Sequence, residues 1–138
     1  MKERIRELTA RSNAMSNEYR PKAVTWFVHG WVNYFKLADI KMLLKDTDQW
    51  MRRRIRMVYW KQWKRVRTRF KMLQKCGIEK GKAWEFANTR KAYWRVAGSP
   101  IMSMAIKTEQ LRRQGYLFFS DYIERLLLCD YRRLLWSS

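Results

Sequence analysis

The stretch that decides the fold is QWMRRRIRMVYWKQWKRVRTRFKMLQKCGI, residues 49–78. Its thirty residues include eleven Lys or Arg and no Asp or Glu, and Trp60 and Trp63 lie in its densest part. So many like charges on a short segment repel one another and destabilise the fold unless a polyanion neutralises them. The stretch therefore favours nucleic-acid binding, and the alternative is a solvated helix face that only keeps the chain soluble.

The composition of the whole chain predicts a folded, basic, helical protein. The net charge is +19 over 138 residues and the sequence pI is near 10.5, as is typical of nucleic-acid-binding domains. Hydrophobic residues at 47% and aromatic residues at 15% are too many for a disordered basic tail. Five Gly and two Pro are too few for a loop-rich or all-β fold. A membrane-surface bundle of cationic helices is an alternative, although no apolar run is long enough to span a membrane.

Apolar spacing predicts three helices before residue 70. The first covers residues 1–11, the second residues 17–36, and the third, the longest, residues 39–67. In the third, steps of 100° place one apolar stripe on a single arc: Ile40, Leu43, Leu44, Thr47, Met51, Ile55, Val58 and Val66. Trp60 and Trp63 fall among the arginines, outside this stripe. We therefore expect both indoles at the surface, where they can stack on bases or on an Arg, although a tryptophan on a helix is more often a core residue.

Shorter helices are expected beyond residue 68. Residues 68–76 are predicted to form a helix that ends at Gly77, followed by helices over residues 79–88 and 89–97. Ser99 and Pro100 are typical of an N-cap and a first helical residue. A one- or two-turn helix is expected between Thr108 and Gly115, and Ser120 is expected to cap the last helix. The change from long to short helices near residues 68–78 favours two units, residues 1–70 and 71–138, in an all-α fold.

The residues of known catalytic and metal sites are scarce. His29 is the only histidine, which excludes a two-histidine metal site, and Asp46 and Asp48 are two apart on a helix and so point to different faces. The chain has neither a phosphate-binding P-loop nor a serine nucleophile elbow. Cys76 and Cys129 are expected to be free thiols in a reducing compartment. We therefore predict a binding protein with no catalytic residue, no metal site and no cofactor of its own.

Several blocks of the sequence resemble group II intron reverse transcriptases, the intron-encoded maturases. HGWVNYF at residues 29–35 resembles their RGWxNYF motif, with His29 where the motif usually has Arg. WMRRRIR at residues 50–56, with WKQWK at residues 60–64, resembles their WxRRRxR and WKQWK block. ANTRK at residues 87–91 and YWR at residues 93–95 are similar to the ANTRKxxWR block of bacterial members. The resemblance covers nearly the whole chain, and the order of the blocks is specific.

The resemblance implies a three-helix thumb, or maturase domain, up to about residue 70, followed by a smaller helical DNA-binding region. It implies binding of intron RNA to promote splicing, and a grip on the template–primer duplex and the DNA target. The palm with its YxDD carboxylates is absent from these residues, so we expect no polymerase activity, and Mg²⁺ is expected only in the palm of a parent enzyme. The implied partners are intron RNA, DNA and that palm, in the bacterial cytoplasm, and self-association is left open.

The basic stretch and the later basic block supply the candidate binding residues. Contacts with phosphates, or stacking by the two indoles, are predicted for Arg52, Arg53, Arg56, Trp60, Lys61, Trp63, Lys64, Arg65, Arg67, Arg69, Lys71, Arg90, Lys91 and Arg95. Minor contacts are predicted for His29, Asn33 and Lys36, and a contact at His29 would be weaker and more pH-dependent than one from Arg. The alternative function is a free-standing basic helical protein that binds DNA or shapes it.

Overall fold

The computed structural model describes the backbone of residues 1–35 and 41–137, and the side chains of residues 1–32, 44–126, 128 and 129. The described residues are all-helical, as the composition predicts. In chain order the helices are α1 (Lys2–Leu8), α2 (Tyr19–Phe35), α3 (Lys41–Gln62), α4 (Val66–Lys75), α5 (Lys80–Ala87), α6 (Tyr93–Ala97), α7 (Pro100–Ala105), α8 (Thr108–Arg113) and α9 (Phe119–Ser137). None of the described helices is long and apolar enough to cross a membrane.

Helix α3 is the centre of the fold and is covered on all sides near its middle. Its predicted stripe is buried wherever the structure describes it on this helix: Leu44, Thr47, Met51, Ile55 and Val58. The four consecutive residues 55–58 are all buried as well. Four consecutive positions cover most of the circumference of a helix, so a single solvent-facing side is excluded here. Helices α6 and α9 pack against α3, and α9 also packs against α2.

The third helix is shorter than predicted. It ends at Gln62, and Arg65 adopts an extended conformation (φ −98°, ψ 149°) before α4 begins at Val66. Neither Gly nor Pro marks this break, which is why the helical pattern in the sequence continues to residue 67. Because Val66 belongs to the next helix, it leaves the stripe and is exposed.

The predicted signals around the short helices are confirmed. Gly77, with φ of +93°, follows α4, and the N–H of Ile78 donates to the carbonyl of Leu73 at 3.0 Å. Gly115, with φ of +102°, ends α8 in the same way, through a 3.2 Å bond from Tyr116 N to Leu111 O. Both are glycine-terminated helix ends in which a left-handed residue satisfies late carbonyls. Ser99 accepts a hydrogen bond from the N–H of Met102 and caps α7, whose first residue is Pro100.

The cap of the last helix differs from the prediction. The carboxylate of Asp48 on α3 accepts from the N–H groups of Phe119 and Ser120, at 2.8 and 2.9 Å, and from Ser120 Oγ at 2.5 Å. Asp48 therefore occupies the position in which Ser120 was expected, and it satisfies two N–H groups that the first turn of a helix leaves free. It also joins the first seventy residues to the rest. One hydrophobic core contains residues from both segments, and the proposed division at residue 70 stays a prediction.

Candidate nucleic-acid interface

Two of the predicted phosphate-binding arginines instead hold short helices onto α3. Arg53 donates from Nε and Nη2 to the carbonyl of Trp94 in α6, and Arg56 donates from Nε at 2.9 Å to the carbonyl of Ile106, just after α7. The Trp94 carbonyl also accepts from the N–H of Gly98 at 3.3 Å, and the Ile106 carbonyl lies just past the C-terminal end of α7, where positive charge is favourable. Arg56 is only 8% exposed. The expectation that it faces solvent is therefore wrong, because later helices cover the basic side of α3.

Other cations of the basic stretch also have partners within the fold. Arg52 is half-buried with its Cζ 5.4 Å from the ring of Phe118, and burial lowers its pKa although Asp48 opposes the shift. Lys61 Nζ donates to the carbonyl of Arg11 at 2.7 Å. Arg69 places its Cζ 4.2 Å from the indole centroid of Trp60. These side chains are therefore engaged in contacts within the fold.

The predicted exposure of Trp60 and Trp63 is wrong. Their exposed fractions are 1% and 7%, and their rings meet edge to face at 6.3 Å. The ring of Phe86 from α5 lies 5.4 Å from that of Trp60. Because the chain turns back after Gln62, α5 brings this ring over the side of α3 that the periodicity assigned to solvent. The two indoles form core, and in this conformation they offer no face to a base.

Seven of the predicted binding residues are exposed. Lys64 and Arg65 lie in the turn before α4, while Arg67 and Lys71, four residues apart, share one face of that helix. Arg90, Lys91 and Arg95 lie after α5 and on α6. Within the described side chains the ion pairs are Arg4–Glu7 and Arg112–Asp121, so no carboxylate neutralises these seven cations. They are the part of the predicted set that stays accessible to phosphates.

The predicted minor contacts divide in the same way. His29 is exposed, and its ring stacks on that of Tyr122 from α9, with 4.4 Å between centroids and 8° between planes. Such stacking leaves the imidazole at the surface but ties its ring to a neighbouring helix. Asn33 and Lys36 lie outside the described side chains.

The structure also exposes groups that the prediction omitted. Trp26 on α2 and Trp84 on α5 are 62% and 53% exposed, although a tryptophan on a helix is more often a core residue. Arg11 and Arg54 line the same cleft as Tyr93 and Trp94, between α3 and α6. Arg11 lies in the polar segment after α1, and no spacing rule connects it with residues eighty positions further on. Tyr93 and Trp94 lie within the basic block of residues 87–95, and these two aromatic residues are the sequence signal that points to the cleft.

Within the part of the chain that the structure describes, fold and charge define a basic, all-helical domain whose cations along α4 and the turn before it have no ion-pair partner. Residues 1–77 match the group II intron, maturase-specific domain, and this match covers 77 of the 138 residues. The chain therefore belongs to the group II intron maturase-specific domain family. A comparison with curated proteins gives no match.

Proposed function

We propose that the chain binds group II intron RNA through the cations of the α3–α4 turn and of α4, and thereby promotes folding and splicing of the intron. The observation that carries this proposal is the exposed, unpaired set Lys64, Arg65, Arg67 and Lys71, which lies inside the residues that match the maturase-specific domain. Cations of this kind displace counterions from phosphates, which yields affinity without base recognition.

The later cations, Arg90, Lys91 and Arg95, are proposed to contact the DNA target or the template–primer duplex. Their support is their exposure and the resemblance of residues 87–95 to the bacterial maturase block. Binding of intron RNA and of duplex DNA with equal phosphate number, measured side by side, separates this proposal from a free-standing DNA-binding protein. A clear preference for intron RNA supports the maturase function, and equal or stronger binding of arbitrary duplex DNA supports the alternative.

The test of the α4 face is the salt dependence of RNA binding. Replacing Arg67 and Lys71 together by Ala is expected to lower the slope of log K against log salt by about 1.4–1.8, the value for two phosphate contacts. The matched control replaces Lys22 and Arg113 by Ala, which removes the same charge from exposed positions outside the proposed interface. Equal slopes for the two double variants would contradict the assignment, because net charge alone would then explain the binding.

A further inference from the structure

A cleft of about 710 Å³ lies between the segment after α1, the middle of α3 and the start of α6. Its lining includes Arg11, Ser12, Arg54, Met57, Tyr93 and Trp94. Among the residues that the structure describes, no Asp or Glu lines the cleft. Its size lies within the range of pockets that enclose small organic groups, which includes a nucleotide.

Two arginines supply positive charge to this cleft. Arg11 is exposed, and its carbonyl is held by Lys61, so the segment that carries it is fixed against α3. Arg54 is half-buried and is oriented by a 2.9 Å hydrogen bond from its Nε to Thr9 Oγ1. Burial lowers the pKa of Arg54, and the positive charge of Arg6 adds a smaller decrease. Arg6 and Arg54 repel each other, and an anion bound at Arg54 would relieve that repulsion.

The aromatic side of the cleft is held firmly. Arg53 lies over the indole of Trp94, with its Cζ 4.0 Å from the ring centroid. Two guanidinium groups lie near the ring of Tyr93, with Arg11 Cζ at 4.8 Å and Arg69 Cζ at 5.8 Å from its centroid. Planar guanidinium groups and aromatic rings are the surfaces on which proteins stack unpaired bases. A base that enters the cleft can therefore stack on these planar groups, and the arginines can contact its phosphate.

We propose that this cleft takes one unpaired nucleotide of a bound strand, with the base stacked on the Arg11 guanidinium that lies over Tyr93 and with the phosphate beside Arg54. This inference rests on the proposed nucleic-acid-binding function and adds a subsite to it. The lining comes from residues 10–12, from Arg54 and Met57, and from residues 92–94. One nucleotide in the cleft would therefore contact both the maturase-specific domain and the segment that follows it.

The test uses the 138-residue chain and labelled RNA duplexes that either contain one bulged nucleotide or are uninterrupted, with equal phosphate number. Fluorescence anisotropy is expected to show at least about fivefold tighter binding of the bulged duplex. Tyr93→Leu should abolish this preference and leave binding of the uninterrupted duplex unchanged, while Tyr93→Phe should retain it. Arg113→Ala, which removes an exposed cation far from the lining in sequence, serves as the control and should retain the preference.

A direct readout is photocrosslinking from 5-iodouracil placed at the bulged position, with the attached peptide mapped by mass spectrometry. Attachment to Tyr93 or Trp94 supports the cleft, and attachment elsewhere overturns it even if a variant folds poorly. Equal affinity for bulged and uninterrupted duplexes also overturns the cleft but leaves the proposed function standing. Failure to bind any RNA overturns the proposed function instead. The same pair made of DNA shows whether the nucleotide comes from RNA, from DNA or from either.

Discussion

Arg53 and Trp94 are joined twice, since the guanidinium donates to the Trp94 carbonyl at 3.0 and 2.8 Å and also lies 4.0 Å from the centre of its indole. The first contact adds a charged donor to a carbonyl that also accepts from the N–H of Gly98 at 3.3 Å, and the second adds a cation–π interaction. An arginine from a motif that resembles a maturase block is thus a structural tie between α3 and α6. The packing around this tie leaves Gly98 almost no free space.

Gly98→Ala is expected to destabilise the protein by about 1–3 kcal/mol. A Cβ at this position would lie 2.5 Å from Arg53 Cζ and Nε, so the guanidinium would have to leave the Trp94 carbonyl. The φ of Gly98 is −88°, which alanine adopts freely, so backbone strain does not contribute. Urea denaturation of the two proteins measures the difference.

The same clash predicts that the effects on stability of substitutions at positions 53 and 98 are not additive. In an Arg53→Ala background the added methyl group meets no guanidinium, so Gly98→Ala should cost much less than in the wild type. A double-mutant cycle gives this coupling energy directly. A cost of Gly98→Ala that is equal in both backgrounds would show that Arg53 does not occupy the space beside Gly98.

Asp48→Ala is expected to cost about 2–3 kcal/mol of stability, near the upper end for a helix cap. The change leaves the N–H groups of Phe119 and Ser120 without their acceptor in a buried place. Asp46→Ala is the matched control, because Asp46 lies two residues away on α3 and is exposed. Its effect should stay within about 0.5 kcal/mol. Equal losses for both variants, by thermal or urea unfolding, would contradict the long-range cap.

The stability of the fold should also depend on pH through Asp48. Burial raises its pKa above the ordinary 3.8, and the bonds from Ser120 and Phe119 and the charge of Arg52 oppose this only in part. The folded state therefore holds this proton more tightly than the unfolded chain. The part of the stability that depends on protonation of this carboxyl is complete below pH 3.8 and is lost as the pH rises through the folded pKa, while the cap bonds remain.

Comparison with Asp48→Asn isolates this effect. As the pH rises above 3.8 and through the folded pKa, the free energy of unfolding of the wild type should fall relative to that of the variant, whose residue 48 does not titrate. Urea denaturation at several pH values gives both curves. A wild-type curve that rises relative to the variant over this range would mean that the pKa of Asp48 is lowered in the fold.

The features of the fold that sequence patterns predicted correctly are those that depend on residues close together in the chain. The apolar stripe from Leu44 to Val58, the glycine end of α4 at Gly77 and the cap at Ser99 all follow from spacing within one turn or two. For the same reason the all-helical class was accessible from composition and periodicity. Local rules describe which side of a helix is apolar, and they do so correctly for α3.

Those patterns could not predict what covers the other side of α3. Arg53 donates to a carbonyl 41 residues later in the chain, and Arg56 donates to a carbonyl 50 residues later. Asp48 caps a helix that begins more than seventy residues away. Trp60 is buried by Phe86 because the chain turns at residues 63–65, where no Gly or Pro announces a break. A basic side of a helix looks the same in sequence whether phosphates or backbone carbonyls receive its guanidinium groups.

This distinction yields a final prediction about Arg56, which resembles a phosphate contact in sequence and a structural residue in the fold. Arg56→Ala should cost about 1–3 kcal/mol of stability, because the buried carbonyl of Ile106 loses its donor. It should leave the salt slope of RNA binding unchanged, whereas Arg67→Ala should lower that slope by about 0.7–0.9 with little effect on stability. Urea denaturation and filter binding on the same two variants provide both numbers. The opposite result, a lower slope and full stability for Arg56→Ala, would place this guanidinium on the nucleic acid and not in the core.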